Sequence, residues 1–578
     1  MNDVVLGIHC SLLDGKFTSD GNVTLVQDHK VKMAIAEERV SRKKYDGDFR
    51  AAIAYILDRT KVKASDISLI GISTFGLSVP PQKKDAETIC ALVRDSLPGF
   101  KGEIKFAPSH HEVHALSVAC VAEEQDALIA VLDNEGSLLS DRKHSALGLN
   151  KLERTSYYLY RNGNLSLVAR DHDDWGDVGY GKLYSKVTRY VGFRSYHEAG
   201  KTMGLAPFGR KDVFSEHMVY RRDQNAISSM RNSENGIADL MQWFADRGIL
   251  LPDARKAGMP LRKIDADLAW WVQNELEESV SNRIRGLVSE HSPEIVCISG
   301  GVALNSVMNA KLRMSLPVKD VIVPPSPGDA GLSMGAAAWA IWQKEGVIPN
   351  FGASPYYGGS YSSEEILEAA KKAGDIIVKP CENLTESVAC ALADGKIIAM
   401  FSGASEFGPR ALGHRSFLVN PSNAWTTSLL NSQVKNREWF RPYAPVVIEE
   451  KCAECFVCGR PTPYMMHIDY VRPDAAKLTQ ATVHVDGTAR LQTVHKALSP
   501  EFHDIVSRFS KMTGVPMVLN TSFNLGGDPI VETPQNAIET FMKSSWIDAL
   551  FLDGHVVTAK ASANRGCLAR RKQEGFDI

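Results

Sequence analysis

Two imidazoles four positions apart, His110 and His114 in the run His110-His111-Glu112-Val113-His114, are spaced to hold a metal ion together. A helix stacks positions i and i+4 on one face, so both rings would point the same way. Asp133 ends the apolar run Ala127-Leu128-Ile129-Ala130-Val131-Leu132, where a strand would deliver its carboxylate into a cleft. Asp329, in Pro325-Ser326-Pro327-Gly328-Asp329-Ala330-Gly331, stands at a similar strand exit and offers a fourth ligand. The histidine run is not a zincin signature, which needs a glutamate directly after the first of two histidines spaced by four.

A second kind of chemistry is gathered late in the chain. Arg410 and Arg415 lie in the glycine-interrupted stretch Gly403-Ala404-Ser405-Glu406-Phe407-Gly408-Pro409-Arg410-Ala411-Leu412-Gly413-His414-Arg415, and Lys435, Arg441 and Arg490 follow. Guanidinium groups on such a loop suit bidentate anion binding. They flank Pro516-Met517-Val518-Leu519-Asn520-Thr521-Ser522-Phe523-Asn524, an apolar strand running into a hydroxyl-bearing loop. Earlier, Ser299-Gly300-Gly301-Val302-Ala303-Leu304-Asn305 joins a strand to a helix. Glycines there let backbone N–H groups approach a nucleotide or phosphate, with the helix N-terminus adding positive potential.

These groups need a scaffold. Apolar strand-like runs alternate with longer helical patterns through roughly the first 340 residues, which predicts an α/β architecture. Val4-Val5-Leu6-Gly7-Ile8 reads as a first strand, Lys32-Met33-Ala34-Ile35-Ala36 as a second, and residues 265–290 as a long helix before the strand Ile295-Val296-Cys297-Ile298. Residues 346–363 turn rich in Gly, Pro, Ser and Tyr, which marks a linker, and a second α/β pattern follows it. The expected organisation is 1–345, a linker at 346–363, 364–562 and a loosely held tail at 563–578.

The chain has 578 residues, more than one core usually organises, and 66 Lys and Arg against 68 Asp and Glu, a formal net charge of -2. That balance, with no long basic block, argues against a nucleic-acid or membrane-surface binder. The N-terminus lacks a signal-peptide pattern and no apolar run approaches the ~20 residues of a membrane span, so the expectation is a cytoplasmic protein. Ten cysteines over this length do not form a disulfide framework. Cys452, Cys455 and Cys458 are spaced to suit zinc or an iron–sulfur cluster were a fourth ligand such as Cys567 near, yet the stretch reads equally well as an ordinary amphipathic turn.

Taken together, the histidine run, Ser299 to Asn305, Gly200-Lys201-Thr202-Met203-Gly204-Leu205-Ala206-Pro207, the arginine loop around Arg410 and Leu519-Asn520-Thr521-Ser522-Phe523-Asn524 resemble the NodU/CmcH-type O-carbamoyltransferases of antibiotic and nodulation-factor biosynthesis. The resemblance covers nearly the whole chain in order. It implies an N-terminal domain of the threonylcarbamoyl-transferase type, with a duplicated actin/Hsp70/sugar-kinase-like fold, and an α/β YrdC-like C-terminal domain. It also implies two reactions. One domain makes carbamoyl-adenylate from carbamoyl phosphate and ATP, with Mg(2+) an expected companion of ATP, and the other passes the carbamoyl group to the hydroxyl of a small-molecule acceptor.

By matching motif, His110, His114, Asp133 and Asp329 correspond to ligands of an Fe(2+) ion, and a set of imidazoles and carboxylates without thiolate suits iron or manganese better than copper. Gly300, Gly301 and Asn305 match the adenosine-binding turn, approached by residues 180–193. Arg410, Lys435, Arg441, Arg490 and Ser522 match the site for carbamoyl phosphate and ATP, where several cations gather two polyanions. Lys44, after Glu37-Glu38-Arg39, matches a lysine of the transfer site that would stabilise a developing oxyanion.

One departure concerns the acceptor. Where the family has a His-Asp-x-Ser motif, this chain has Thr18-Ser19-Asp20-Gly21-Asn22, with Ser19 in place of the histidine. Either His9 reaches the site from the first strand, or another base serves, or the acceptor needs none. Two other readings stand beside the first: a tRNA threonylcarbamoyl-type transferase, against which the near-neutral charge weighs, and an ATP-binding regulator of the Hsp70 or sugar-kinase type, which has no use for a second polyanion site. A homodimer is the default expectation for a cytoplasmic enzyme.

Overall fold

A computed structural model of the chain describes residues 3–560 apart from positions 11, 14, 75–82, 123–125, 138–151, 172–177, 221–229 and 231–235. The chain forms two compact units, Met1–Glu37 with Tyr45–Ala353, and Glu38–Lys44 with the chain from Ser354 onward. The expected tail at 563–578 lies outside the described residues. Among the described residues, no helix is long and apolar enough to cross a membrane.

The first unit is built twice on one plan. Its first sheet uses Val4–Cys10, Asn22–Gln27, Lys30–Ala36, Ile67–Thr74 and Glu103–Phe106, and its second uses Asp126–Leu132, Thr155–Arg161, Asn164–Asp171, Ile295–Ser299 and Asp320–Ile322. In both, the spatial order is third, second, first, fourth, fifth. The first three strands of each pair antiparallel, and the last two run parallel to the first. This is the duplicated α/β architecture that the motifs implied. The sequence reading passed over the strand Asn22–Gln27, which completes the antiparallel meander with Lys30–Ala36.

The helix expected over 265–290 runs Lys263–His291. The helix Leu332–Glu345 crosses the first sheet at close range because its neighbours lack side chains: a Cβ on Gly7 would sit 1.9 Å from the Ser333 carbonyl oxygen, and one on Gly71 would sit 2.3 Å from that of Ala336. Gly335 lets the same helix press against the histidine-bearing helix, since a Cβ there would lie 2.2 Å from the Val113 oxygen. Asp329 sits one short turn before this helix, so its placement follows from that packing.

The second unit is a mixed nine-stranded sheet in the order Ile376–Pro380, His555–Ala559, Ala549–Leu552, Ile398–Phe401, Arg415–Val419, Met517–Ser522, Ala444–Ile448, Thr488–Val494, His467–Tyr470. One apolar cluster joins it to the helices Ser363–Lys371 and Pro534–Lys543, and another to Leu384–Ala393 and Pro500–Thr513. Sheet faces covered by helices leave polar groups at the strand ends and loops, where the cations are found.

Candidate functional site

The helix His110–Ala119 begins at Ser109, whose hydroxyl accepts the Glu112 backbone N–H at 3.0 Å. Glu153, fully buried, clamps the same end by accepting the Ser109 hydroxyl and the backbone N–H groups of His111 (3.3 Å) and Ser137 (2.9 Å). With the first turn held, His110 and His114 present their Nε2 atoms to Asp133 and Asp329. The four N···O separations are 3.3 and 3.5 Å from His110, and 3.5 and 3.2 Å from His114.

One ligand atom from each residue lies within 4.8 Å of the other three. Charge-assisted N–H···O bonds close to about 2.7–2.9 Å. These contacts stay longer, as expected of atoms converging on a common point rather than pairing off. The Oδ2 atom of Asp133 is enclosed without a hydrogen bond, while its Oδ1 accepts the N–H groups of Asn134 (2.8 Å) and Gly301 (3.1 Å). His114 Nδ1 lies 3.2 Å from the Ser299 hydroxyl, which itself donates to the Pro327 carbonyl at 3.1 Å. A serine so engaged accepts from Nδ1–H, leaving Nε2 as the lone-pair donor. The residues therefore fit a divalent ion with two nitrogen and two oxygen ligands.

The two carboxylates also favour positive charge at this point. Burial opposes charge on His110, yet the carboxylates of Asp329 and Asp133 carry its imidazole up to about 10, and His114 is raised too. Burial likewise opposes ionisation of Asp133 and Asp329, and the two histidines hold both below the usual carboxylate range. His9 sits beside this cluster, its ring centroid 5.9 Å from that of His110 and its Nδ1 3.3 Å from the Ser73 hydroxyl. Burial, with His110 and His114 close by, pushes it down to about 3, so it is neutral. His111 points elsewhere, with Nδ1 2.8 Å from the Ser156 hydroxyl.

The glycine turn lies against the cluster. Gly300 has φ 91°, and a Cβ there would fall 2.2 Å from the Leu132 oxygen, so only glycine fits between this turn and the strand that carries Asp133. Asn305 caps the helix Ser306–Ser315 through the Met308 N–H and pairs its amide with Gln273 at 2.8 Å, which commits its side chain to shaping the turn. The helix Tyr180–Tyr190 abuts the same strand exit, where a Cβ on Gly181 would sit 2.8 Å from the Asp133 backbone oxygen.

The second unit gathers the cations. Lys435 follows a π-helical turn, Leu430–Val434, a distortion frequent at functional sites. Its Nζ donates to the backbone oxygen of Ser522, to the Ser522 hydroxyl (3.2 Å), and to the backbone and side-chain oxygens of Asn524 (2.9 Å each). All four partners are neutral. Burial and the charges of Arg437, Arg441 and Lys44 push its ammonium well below the usual lysine range. Burial and Arg441 bring Arg410 down to about 10, and Arg490 falls well below the arginine range under burial and the charges of Arg410, Arg437 and Arg441. The Nε atoms of Arg410 and Arg490 are enclosed without a hydrogen-bond partner. Arg441 has one carboxylate nearby, Glu438 at 3.7 Å.

Lys44 belongs to this second unit, paired with Glu38 at 3.1 Å, and not to the unit that carries the histidine cluster. Arg415 differs from its sequence reading. It starts the strand Arg415–Val419, is fully buried, and donates to the carbonyls of Ser402 (2.9 Å), Gly359 (2.9 Å) and Gly403 (3.0 Å) over the Phe401 ring. Its two terminal nitrogens hold loops together, while its Nε is enclosed without a hydrogen-bond partner. Arg437 is the cation the sequence reading missed. Its place two residues after Lys435 was the available signal, and its guanidinium stacks 4.3 Å over the Tyr443 ring. Cys452 and Cys455 pack with Val447, Phe456 and Leu491 in an apolar cluster, where burial pushes their thiols up to about 12 and about 11. They do not converge with Cys458 on a metal position among the described residues, and Cys567 lies outside them.

Against known families, residues 98–338 match the model described as carbamoyltransferase N-terminus and residues 389–559 the model described as carbamoyltransferase C-terminus. Nodulation protein NolNO of Sinorhizobium fredii is 30% identical over 96% of this chain and 82% of its own length. Nodulation protein NolO of Bradyrhizobium diazoefficiens is 32% identical, covering 78% of this chain and 77% of its own. Among solved structures, the activator of the 2-hydroxyisocaproyl-CoA dehydratase from Clostridium difficile aligns over 60% of this chain and 96% of its own at 11% identity, with a TM-score of 0.32.

Proposed function

Because this chain belongs to the carbamoyltransferase family, we propose that it is an ATP-dependent O-carbamoyltransferase with a separate centre for each half of the reaction. In the second unit, water takes the phosphoryl group of carbamoyl phosphate, the carbamate oxygen attacks the α-phosphorus of ATP, and pyrophosphate leaves, giving carbamoyl-adenylate. In the first unit, the oxygen of an acceptor hydroxyl attacks the carbamoyl carbon, the bond to AMP breaks, and the hydroxyl proton is lost to solvent.

The observation that supports two centres is the contrast in their charge. Arg410, Arg437, Arg441 and Arg490 crowd together with enclosed, unpartnered Nε atoms on two of them, an arrangement that is relieved only when anions arrive. ATP and carbamoyl phosphate are anions of that kind, and holding both in place supplies much of the catalysis of such a reaction. In the other centre, Gly300 and Gly301 admit the nucleotide end of the intermediate next to Asp133. An Fe(2+) ion held by His110, His114, Asp133 and Asp329 would supply a Lewis acid toward a phosphoryl or carbonyl oxygen. Ser299 keeps the His114 ring oriented for it, and Glu153 fixes the first turn of the helix that carries both imidazoles.

The test is pyrophosphate release from ATP with no acceptor present. Release that requires carbamoyl phosphate is expected. Release without it, or none with it, overturns the adenylation half.

A further inference from the structure

Three short segments of the first unit meet beside Asp329. Residues 18–22 are stitched to the metal-ligand loop by Asn22, whose amide donates to the backbone oxygens of both Asp20 (2.6 Å) and Asp329 (2.9 Å). The turn at 45–48 packs on them: Gly21 N–H donates to the Asp46 oxygen at 2.8 Å, and a Cβ on Gly47 would lie 2.6 Å from the Ser19 nitrogen. The third segment brings the Tyr196 hydroxyl to 3.5 Å from that of Ser19. Burial and the negative charges of Asp20, Asp329 and Asp133 all push this phenol up.

The aromatic rings form a continuous stack. Tyr45 lies parallel to His197 with centroids 4.1 Å apart at 13°, and His197 lies 4.0 Å from Tyr196 at 38°. Tyr45 holds φ 57° and Asp20 φ 62°, backbone conformations costly for residues other than glycine and concentrated where a site demands them. Tyr45 and Tyr196 nevertheless remain 36% and 41% exposed. Strained backbone that keeps aromatic faces in water beside a buried cluster of potential metal ligands has no purpose in the core.

Resting on the carbamoyl-transfer reading, we infer that Tyr45, His197 and Tyr196 form the wall, and Ser19 with Tyr196 the hydroxyl clasp, of the acceptor subsite, which takes a compound whose hydroxyl is carried on a ring. Aromatic faces pack against the CH-rich or flat face of a ring, and an open chain gains little from them. Two neighbouring hydroxyls can both donate to and accept from the acceptor hydroxyl, orienting it toward the carbamoyl carbon. Ser19 thus serves at the position where the family carries histidine, acting in concert with Tyr196.

Saturation-transfer NMR on the full-length, metal-loaded protein tests this with methyl β-glucopyranoside and uridine as ring probes and sorbitol as the open-chain control. Saturation of at least one ring probe and not of sorbitol is expected. Tyr45→Ala should cut the signal about fivefold, and Tyr45→Phe, which keeps the ring, should restore it. No saturation of either ring probe, equal saturation of sorbitol, or full signal in both Tyr45→Ala and Tyr196→Ala overturns the subsite. Carbamoyl-phosphate-dependent pyrophosphate release is measured on the same samples. Its absence from the wild type would overturn the carbamoyl-transfer reading, whereas its persistence in the variants with loss of ring binding would locate the effect in the subsite.

Discussion

The two polar centres of this protein solve the problem of buried charge in opposite ways. In the first unit two imidazoles face two carboxylates, so the carboxylates favour the charged imidazoles and the imidazoles the charged carboxylates, and the set is nearly self-neutral. In the second, burial and the nearby charge of Arg441 make Arg410, Lys435, Arg437 and Arg490 harder to charge, and the Lys435 hydrogen bonds go to neutral oxygens. A centre of the first kind can wait for a single cation that its own ligands will hold. On the proposed function, one of the second kind is a place for negative charge, and its stability would depend on what enters it.

The sharpest way to break this comparison is to remove one cation. Arg490→Ala or Arg410→Ala should lower carbamoyl-phosphate-dependent pyrophosphate release by about a thousandfold, while transfer from supplied carbamoyl-adenylate stays near wild type. Equal loss of both activities would show that these residues support the fold or the transfer step instead. Next in size, His114→Ala should take the bound metal from about one ion per chain to almost none and reduce transfer by roughly a hundredfold, with pyrophosphate release unchanged. Metal analysis and the two half-reaction assays would reveal whether the ligand set has been misassigned.

A smaller effect sharpens the contrast in stability. In metal-free protein, pyrophosphate at about a hundred times its dissociation constant should raise the unfolding midpoint of the second unit by roughly 5–10 °C and leave that of the first in place. A shift confined to the first unit would contradict the assignment of anion binding. The smallest effect is on pH. The folded-state pKa of Lys435 lies below its unfolded value, so between the two the unfolded chain binds more protons and stability rises with pH. In anion-free buffer the midpoint of the second unit should climb by roughly 2 °C as pH rises toward the unfolded lysine value of about 10.4, and Lys435→Met should flatten the slope. A slope unchanged in that variant would remove Lys435 from the repulsive set.

Which parts of this were legible beforehand follows from the range of the interactions involved. The helix His110–Ala119, the long helix Lys263–His291 and the strand Asp126–Leu132 were readable because apolar period and caps are written in adjacent residues. The strand Asn22–Gln27 was passed over, since its polar ends masked a segment whose burial comes from both neighbours in the sheet. The carbonyls that Arg415 meets, from Gly359, Ser402 and Gly403, could not be read from its own loop. The contact of Tyr45 with the adjacent pair Tyr196 and His197 has no local signature, because Tyr45 lies in a distant segment.

The sequence by itself determined which side chains could bind a metal or an anion, the α/β character of the chain and its membership of the carbamoyltransferase family, because residue chemistry and short-range periodicity survive without knowledge of distant contacts. Tertiary structure alone decided which of those side chains meet. Asp133 and Asp329 reach the same two imidazoles only because the strand Ile295–Ser299 pairs beside Asp126–Leu132 and the helix after Asp329 packs at glycine range on the first sheet. Likewise, Lys435 and Arg490 become hard to charge only when loops and strands from separate parts of the second unit bury them beside other guanidinium groups. Charge–charge energies depend on distance and burial, and both are properties of the folded chain.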